Sequence, residues 1–197
     1  MSGKTQKTGK MPRKPDARVA RTHDSLGDAL IAIMHEKPFD SITVQDVLDR
    51  AAVGRSTFYA HFRDKDDLFL SDVEHFFELV STMLTRRHDT SNRVAPVREL
   101  FTHIADARKF YAALVASGKV HDVMDLGQGC LARGIEARLL ELARARAMNA
   151  MHRAALAHSL AGALFSMLSW WIDHAMQPSP AEMDKIYHQM VWAGVGT

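Results

Sequence analysis

Apolar residues recur at intervals of three and four along the first part of the chain. Val19, Leu26 and Ile33 lie on one face of a helix that we expect to run over residues 19–36, and Pro38 ends it. This spacing belongs to an amphipathic helix, and no segment of the sequence shows sustained period-two alternation. The pattern therefore predicts an all-α fold from its first segment onward.

A second and a third short helix follow, separated by a tight turn. The run Thr43-Val44-Gln45-Asp46 has the residue types of a capping box, which predicts a helix beginning at Val44. Ala52-Val53-Gly54 leaves room only for a turn before a third helix over residues 55–61. Two short helices that meet in this way form a helix-turn-helix, whose second helix fits the major groove of DNA.

The remaining helices are longer, and their starts carry capping signals. Asp64 and Asp67 begin a fourth helix that reaches about Leu84, and the polar residues 88–93 form a hinge candidate. Further helices are predicted over residues 96–107, 109–117, 120–146 and 149–175, and from Pro180 to the C-terminal end. About nine helices are expected, as an N-terminal three-helix head and a C-terminal helical bundle.

Composition narrows the functional class without changing the fold. Hydrophobic residues make up 47% and charged residues 24%, which is typical of a globular protein. The single Cys130 excludes an intramolecular disulfide and a cysteine-based zinc site. We find no metalloprotease, phosphate-loop or nucleophile-elbow motif, so we expect no enzyme activity, cofactor or metal. No secretory start or bilayer-length apolar run is evident, so we expect a cytoplasmic protein without membrane association.

Charge is distributed unevenly along the sequence. Residues 1–65 contain twelve Lys and Arg against eight Asp and Glu, whereas residues 66–197 contain thirteen against fifteen. Much of the positive excess lies in residues 1–21, which are otherwise rich in Gly, Thr and Pro. A basic tail favours a polyanionic partner, although a solubilising leader would have the same composition.

The run FDSITVQDV at residues 39–47 and the run AAVGRSTFYAHFRDKDDL at residues 51–68 closely resemble the DNA-binding domain of the TetR family of bacterial regulators. The resemblance covers about a quarter of the chain. Family members usually have Ala-Gly-Val-Ser at the turn, where this chain has Ala51-Ala52-Val53-Gly54. The resemblance divides the chain into a tail at residues 1–17, a DNA-binding domain at 18–65 and a ligand-binding and dimerisation domain at 66–197.

The resemblance, taken with side-chain chemistry, implies a set of DNA contacts. The Arg55 guanidinium suits a guanine base or a phosphate, and the short side chains of Ser56 and Thr57 allow the backbone to approach the DNA closely. Tyr59, His61 and Lys65 suit contacts to phosphates. Thr43 could act only as a helix cap, or as a cap that also contacts a phosphate, and both interpretations stay open. The expected contacts to double-stranded operator DNA are Thr43, Arg55, Ser56, Thr57, Tyr59, His61 and Lys65.

The resemblance also implies a homodimer and an internal ligand pocket. In the family the last two helices pair with those of a second copy, and the expected interface is His158, Ala161, Gly162, Phe165, Leu168, Ser169 and Ile172, although this face could also be intrachain core. The middle helices would enclose a largely apolar small-molecule effector. Its expected contacts, which could equally be core residues, are Phe77, Phe101, His103, Phe110, Tyr111, Leu114, Met124 and Trp170.

The function that follows from the resemblance is transcriptional regulation by sequence-specific DNA binding. The resemblance to the family favours a repressor that leaves a palindromic operator when its effector binds. A TetR-like protein that acts as an activator, or in chromosome organisation, would carry the same DNA-binding head, so these alternatives stay open at the level of sequence.

Overall fold

The computed structural model of the chain describes residues 17–142 and 148–195, and these residues contain ten α-helices, one short 3-10 helix and no strand. The α-helices are α1 (Ala17–Met34), α2 (Val44–Ala51), α3 (Arg55–Tyr59), α4 (Lys65–Ser81), α5 (Met83–Arg86), α6 (Val97–Asp106), α7 (Arg108–Ala116), α8 (Val120–Glu141), α9 (Ala150–Asp173) and α10 (Pro180–Val195), and the 3-10 helix is Phe39–Ser41. The all-α prediction is confirmed. The basic tail lies outside the described residues.

Local capping explains where several of these helices begin. The Asp64 carboxylate accepts a hydrogen bond from the backbone N–H of Asp67 at 2.8 Å, and Asn149 accepts one from the N–H of His152 at 2.9 Å. Ser179 and Glu182 form a reciprocal pair at the start of α10. Each cap satisfies backbone donors that the first turn of a helix leaves free, so these starts were readable from the sequence.

The first three helices form a small head around a shared core. Leu26 and Leu30 of α1, Val47 of α2, Phe58 of α3 and Leu68 of α4 have no exposed surface. Because α4 packs against α1 and also against α8, it belongs to the head at one end and to the helical body along its length. Any shift of α4 relative to α8 therefore moves the head.

The body is built around α8 and α9, which pack along each other, while α10 packs against α6. The length and apolar composition of α9 would alone suit a membrane span. Leu164, Leu168 and Trp171 are nevertheless buried in the protein core, and the Trp171 indole N–H donates to the backbone carbonyl of Pro178 at 2.6 Å. These contacts are those of a core helix in a globular protein.

The segment at residues 88–93 is fixed to the body, and its prediction as a hinge was wrong. Arg138 of α8 is buried and donates hydrogen bonds to the carbonyls of Asp89 at 2.7 Å, Ser91 at 2.8 Å and Arg93 at 3.0 Å. Arg93 also pairs with Asp184 of α10 at 2.8 Å. Breaking these bonds would leave two buried nitrogens of Arg138, Nε and Nη2, without their carbonyl partners, so this polar segment resists bending.

Several helix ends differ from the sequence expectation. The third helix ends at Tyr59 rather than at residue 61, and α8 ends at Glu141 rather than 146, with residues 143–147 outside the described ranges. The fourth helix ends at Ser81, where the hydroxyls of Ser81 and Thr82 both donate to the carbonyl of Glu78. These side-chain bonds compete with the backbone ladder, which explains the break before α5.

Candidate nucleic-acid interface and internal cavity

The helix-turn-helix begins at a complete capping box. The Thr43 hydroxyl accepts from the N–H of Asp46 at 3.2 Å, and the Asp46 carboxylate accepts from the N–H of Thr43 at 2.7 Å. The same carboxylate accepts from the Thr43 hydroxyl and pairs with Lys37 at 2.8 Å, and these bonds hold the pKa of Asp46 far below its ordinary value. The exposed Thr43 hydroxyl therefore already has a donor and an acceptor partner within the protein.

The turn between α2 and α3 uses a left-handed residue. Ala52 has φ 54° and ψ 38°, and its N–H donates to the carbonyl of Leu48. A side chain in this conformation costs on the order of 1 kcal/mol, which glycine would avoid. Gly54 precedes α3 in extended conformation without a side-chain cap. The chain thus keeps the helix-turn-helix geometry despite its unusual turn residues.

The short helix α3 divides into a buried and an exposed face. Phe58 is fully buried, and its ring lies 5.7 Å from that of Phe62, which fixes α3 to the head. Arg55, Ser56 and Thr57 are exposed, and Tyr59 is 52% exposed. Side chains of these types, a tyrosine beside an arginine and two hydroxyls, can hydrogen-bond to the bases and phosphates of DNA.

The Arg55 guanidinium is held by α2. It donates to the side-chain carbonyl of Gln45 at 2.8 Å, and the Gln45 amide donates to Asp49 at 2.7 Å. The sequence prediction omitted Gln45. Its signal was its place in the first turn of α2, next to the capping residue and within reach of the following helix. The exposed pair Gln45 and Arg55 extends the candidate interface from α3 onto α2.

Lys65 occupies a different position from the one expected of a phosphate contact. Its ammonium donates to the carbonyls of Phe39 at 2.7 Å, Ile42 at 2.8 Å and Asp40 at 3.3 Å, and it lies 4.6 Å from the centre of the Phe39 ring. An ammonium has three donors, and all three are in use. We therefore assign Lys65 to positioning the segment before α2, not to the DNA.

His61 is also separated from the exposed face of α3. Its ring is half-buried, lies 5.1 Å from that of His23 in α1, and borders a polar cleft that includes Asp122 and Asp125 of α8. The carboxylates of this cleft disfavour an approaching phosphate. The geometry groups His61 with the contact between head and body.

A cavity of about 190 Å³ lies between the head and the body. It is lined by α1, α4, α6, α7, α8 and α9, with Ile31 and His103 at exposed positions on its edge. The walls are almost entirely apolar, as in most small-molecule sites. Six of the eight residues expected for the effector pocket line it: Phe77, His103, Phe110, Tyr111, Leu114 and Met124.

Phe101 and Trp170 were wrongly assigned to this pocket. Phe101 is fully buried against Trp171, with ring centres 4.8 Å apart, so it belongs to the packed core. Trp170 is 48% exposed and stacks on His174. Adjacent residues of a helix point in directions about 100° apart, so only one of the two tryptophans can face inward.

Comparison with known proteins agrees with this geometry. Residues 27–71, from α1 to the middle of α4, match the family model "Bacterial regulatory proteins, tetR family". The first helices of the chain therefore resemble the DNA-binding head of TetR-family regulators. The negative transcriptional regulator IcaR of the Staphylococcus epidermidis biofilm operon is 26% identical over 92 residues, which are 46% of this chain and 50% of IcaR. The transcriptional regulator AcuR of Cereibacter sphaeroides is 32% identical over 94 residues, which are 47% of this chain and 42% of AcuR.

The matched segments thus span about half the length of these relatives. A solved structure extends the likeness in fold to most of the chain. A TetR transcriptional regulator from Streptococcus agalactiae superposes with a TM-score of 0.58 at 24% identity, over 88% of this chain and 95% of that one. Both relatives are named as transcriptional regulators.

The face of α9 expected to form the TetR-type dimer needs correction. Ala161, Phe165 and Leu168 are buried within the chain's own core, and Phe165 and Leu168 line the cavity. Gly162 and Ile172 are half-buried, whereas His158 and Ser169 are exposed. The exposed apolar and small residues of the last two helices include Met151, Ala155, Ser159, Ser166, Ser169 and Trp170 on α9, and Ile186 and Met190 on α10.

An ion pair joins the body to the head. Lys119, which precedes α8, lies 2.5 Å from the Asp66 carboxylate at the start of α4. Its ammonium is also 5.8 Å from the centre of the Phe39 ring. The pair raises the pKa of Lys119. Because Val123 and Met124 of α8 line the cavity, Lys119 connects the helix beside the cavity to the base of the DNA-binding head.

Proposed function

We propose that the chain is a dimeric repressor that binds a palindromic operator through α3 and leaves it when a small molecule enters the cavity. The observation that carries this proposal is the exposed set Arg55, Ser56, Thr57 and Tyr59 on a helix anchored by the buried Phe58. Gln45 orients Arg55 for this purpose. Thr43 is a further phosphate contact in this proposal. To bind a phosphate, its exposed hydroxyl would give up one of its hydrogen bonds within the protein. The site of action is the cytoplasm, where the operator lies.

A second copy of the chain is needed for useful affinity. One recognition helix reads only a few base pairs, and dimers place two such helices one turn of DNA apart. The proposed interface consists of the exposed residues of α9 and α10, in which Trp170, Ile186 and Met190 supply apolar area and the serines allow close approach. A face of this kind is costly to leave in water, which supports pairing.

The cavity supplies a route for regulation. A ligand that fits one arrangement of α4 and α8 better than another shifts the population toward that arrangement. The Lys119–Asp66 pair would carry this shift to the start of α4 and so to the head. Repression, as opposed to activation, follows IcaR, which is a negative regulator.

The proposal is tested by selecting binding sites from random duplex DNA with the purified chain and measuring affinity for the enriched sequence by fluorescence anisotropy. Arg55→Ala is expected to weaken binding by about 1–3 kcal/mol, because a bidentate base contact or a charged phosphate contact is lost. Circular dichroism should show an unchanged helix content. Arg133→Ala, on α8 far from the head, serves as the matched control and should bind as the wild type does. Equal affinity of Arg55→Ala and wild type would contradict the placement of α3 on DNA.

A further inference from the structure

We propose that the effector is a small organic cation, a protonated amine with an apolar or aromatic body, and that Asp72 anchors its ammonium group. The inference rests on the proposed function, since it names the ligand class of the cavity described above. Among the described residues that line this cavity, Asp72 is the one carboxylate, and none is Lys or Arg. The sequence prediction of the pocket did not include Asp72.

One oxygen of the Asp72 carboxylate is buried without a hydrogen-bond partner. This oxygen, Oδ2, packs directly against the backbone of Gly27 in α1, where a side chain would collide with it. A buried polar atom without a partner is rare, and it destabilises a protein unless something else satisfies it. A ligand with an N–H donor would supply the missing bond.

Electrostatics around Asp72 also favours a cation. Burial, together with the nearby Asp28 and Asp24 of α1, raises the pKa of its carboxyl group to about 7. At the edge of the cavity, burial lowers the pKa of His103, which favours the neutral form of its ring. A positive ligand would relieve the repulsion among three carboxylates, whereas a negative ligand would add to it.

The walls of the cavity suit the body of such a ligand. Its aromatic rings come from Phe69, Phe76 and Phe77 of α4, Phe110 and Tyr111 of α7, and Phe165 of α9. The faces of aromatic rings attract cations, and their area holds an apolar body. The volume of about 190 Å³ is somewhat larger than a cavity of about 150 Å³ that accepts benzene. One ring with a short amine-bearing chain therefore fits.

Position gives Asp72 a route to the DNA-binding head. It sits on α4 and touches α1, the two helices whose packing sets the direction of the head. Pairing with an ammonium group would draw the carboxylate away from Gly27 and toward the cavity. The charge of the ligand is thereby coupled to the contact between α1 and α4.

The test compares three probes with the same skeleton: 3-phenylpropylammonium, the neutral 3-phenylpropanol and the anionic 3-phenylpropionate. Calorimetric titration of the full chain at pH 8 is expected to show the ammonium binding roughly ten- to hundredfold more tightly than the alcohol, and the carboxylate binding weakest. Asp72→Asn should remove this preference, while Asp125→Asn on the exposed face of α8 should retain it. Affinity for the ammonium should rise several-fold from pH 6 to pH 8 as Asp72 ionises.

Operator release, measured by anisotropy with the same probes, separates this inference from the proposed function. Binding of the ammonium that depends on Asp72 but does not release DNA would support the ligand class and contradict the effector role of the cavity. Equal or tighter binding of the alcohol or the carboxylate, no binding of any probe, or an unchanged preference in Asp72→Asn would overturn the inference.

Discussion

At the scale of single residues, Lys65 shows how far chemistry alone can be read from a sequence. A lysine at the start of the helix after the recognition helix suits a phosphate contact, and nothing in its neighbours contradicts that role. The carbonyls that bind its ammonium belong to residues 39–42, about 25 positions earlier in the chain. Their convergence is a tertiary feature, so it could not be predicted from local pattern. The Thr43 capping box, in contrast, is entirely local and was predicted.

A structural role for Lys65 and a phosphate contact by Lys65 predict different salt dependences of DNA affinity. Lys65→Met is expected to lower the free energy of unfolding by about 1–3 kcal/mol, because three carbonyls lose a charged donor. The slope of log affinity against log salt concentration should stay as in the wild type, since no phosphate contact is removed. Lys109→Met, on the exposed face of α7, is the matched control for stability. A slope reduced by about 1 would instead identify Lys65 as a phosphate contact.

At the scale of helices, the starts and the apolar faces could be predicted, but the partners of those faces could not. A spacing of three and four residues identifies an apolar stripe on α9. This spacing is the same whether the stripe packs against α8 or against a second copy of the chain. Phe165 and Leu168 were therefore assigned to a dimer, although they line the internal cavity. The exposed stripe lies on the opposite side of the helix and is richer in Ser and Ala, which carry a weaker hydrophobic signal.

The exposed stripe of α9 makes a direct prediction about assembly. Ser169→Arg is expected to convert a dimer into a monomer at micromolar concentration, because each copy would bury an unpaired guanidinium group in the proposed interface. Light scattering coupled to size-exclusion chromatography measures this change. Ala112→Arg, on an exposed position of α7, should leave the dimer intact. A dimer that survives Ser169→Arg would argue against this face.

At the scale of the whole molecule, α4 links the DNA-binding head to the cavity. Its first turn is joined to α8 by Asp66 and Lys119, its middle supplies Asp72 and the phenylalanines of the cavity, and its side packs on α1. The sequence predicts a head at residues 18–65 and a body from residue 66. Because one continuous core joins the two parts, the structure does not test this boundary. Communication between the two parts needs no hinge beyond small shifts of α4.

The central claim is that two copies of α3 read one operator. Hydroxyl-radical footprinting of the enriched DNA site tests it most directly. We predict two protected half-sites on the same side of the duplex, with centres about one helical turn or a whole multiple of it apart, and loss of both in Arg55→Ala. A single protected half-site, or a uniform pattern without half-sites, would contradict the account.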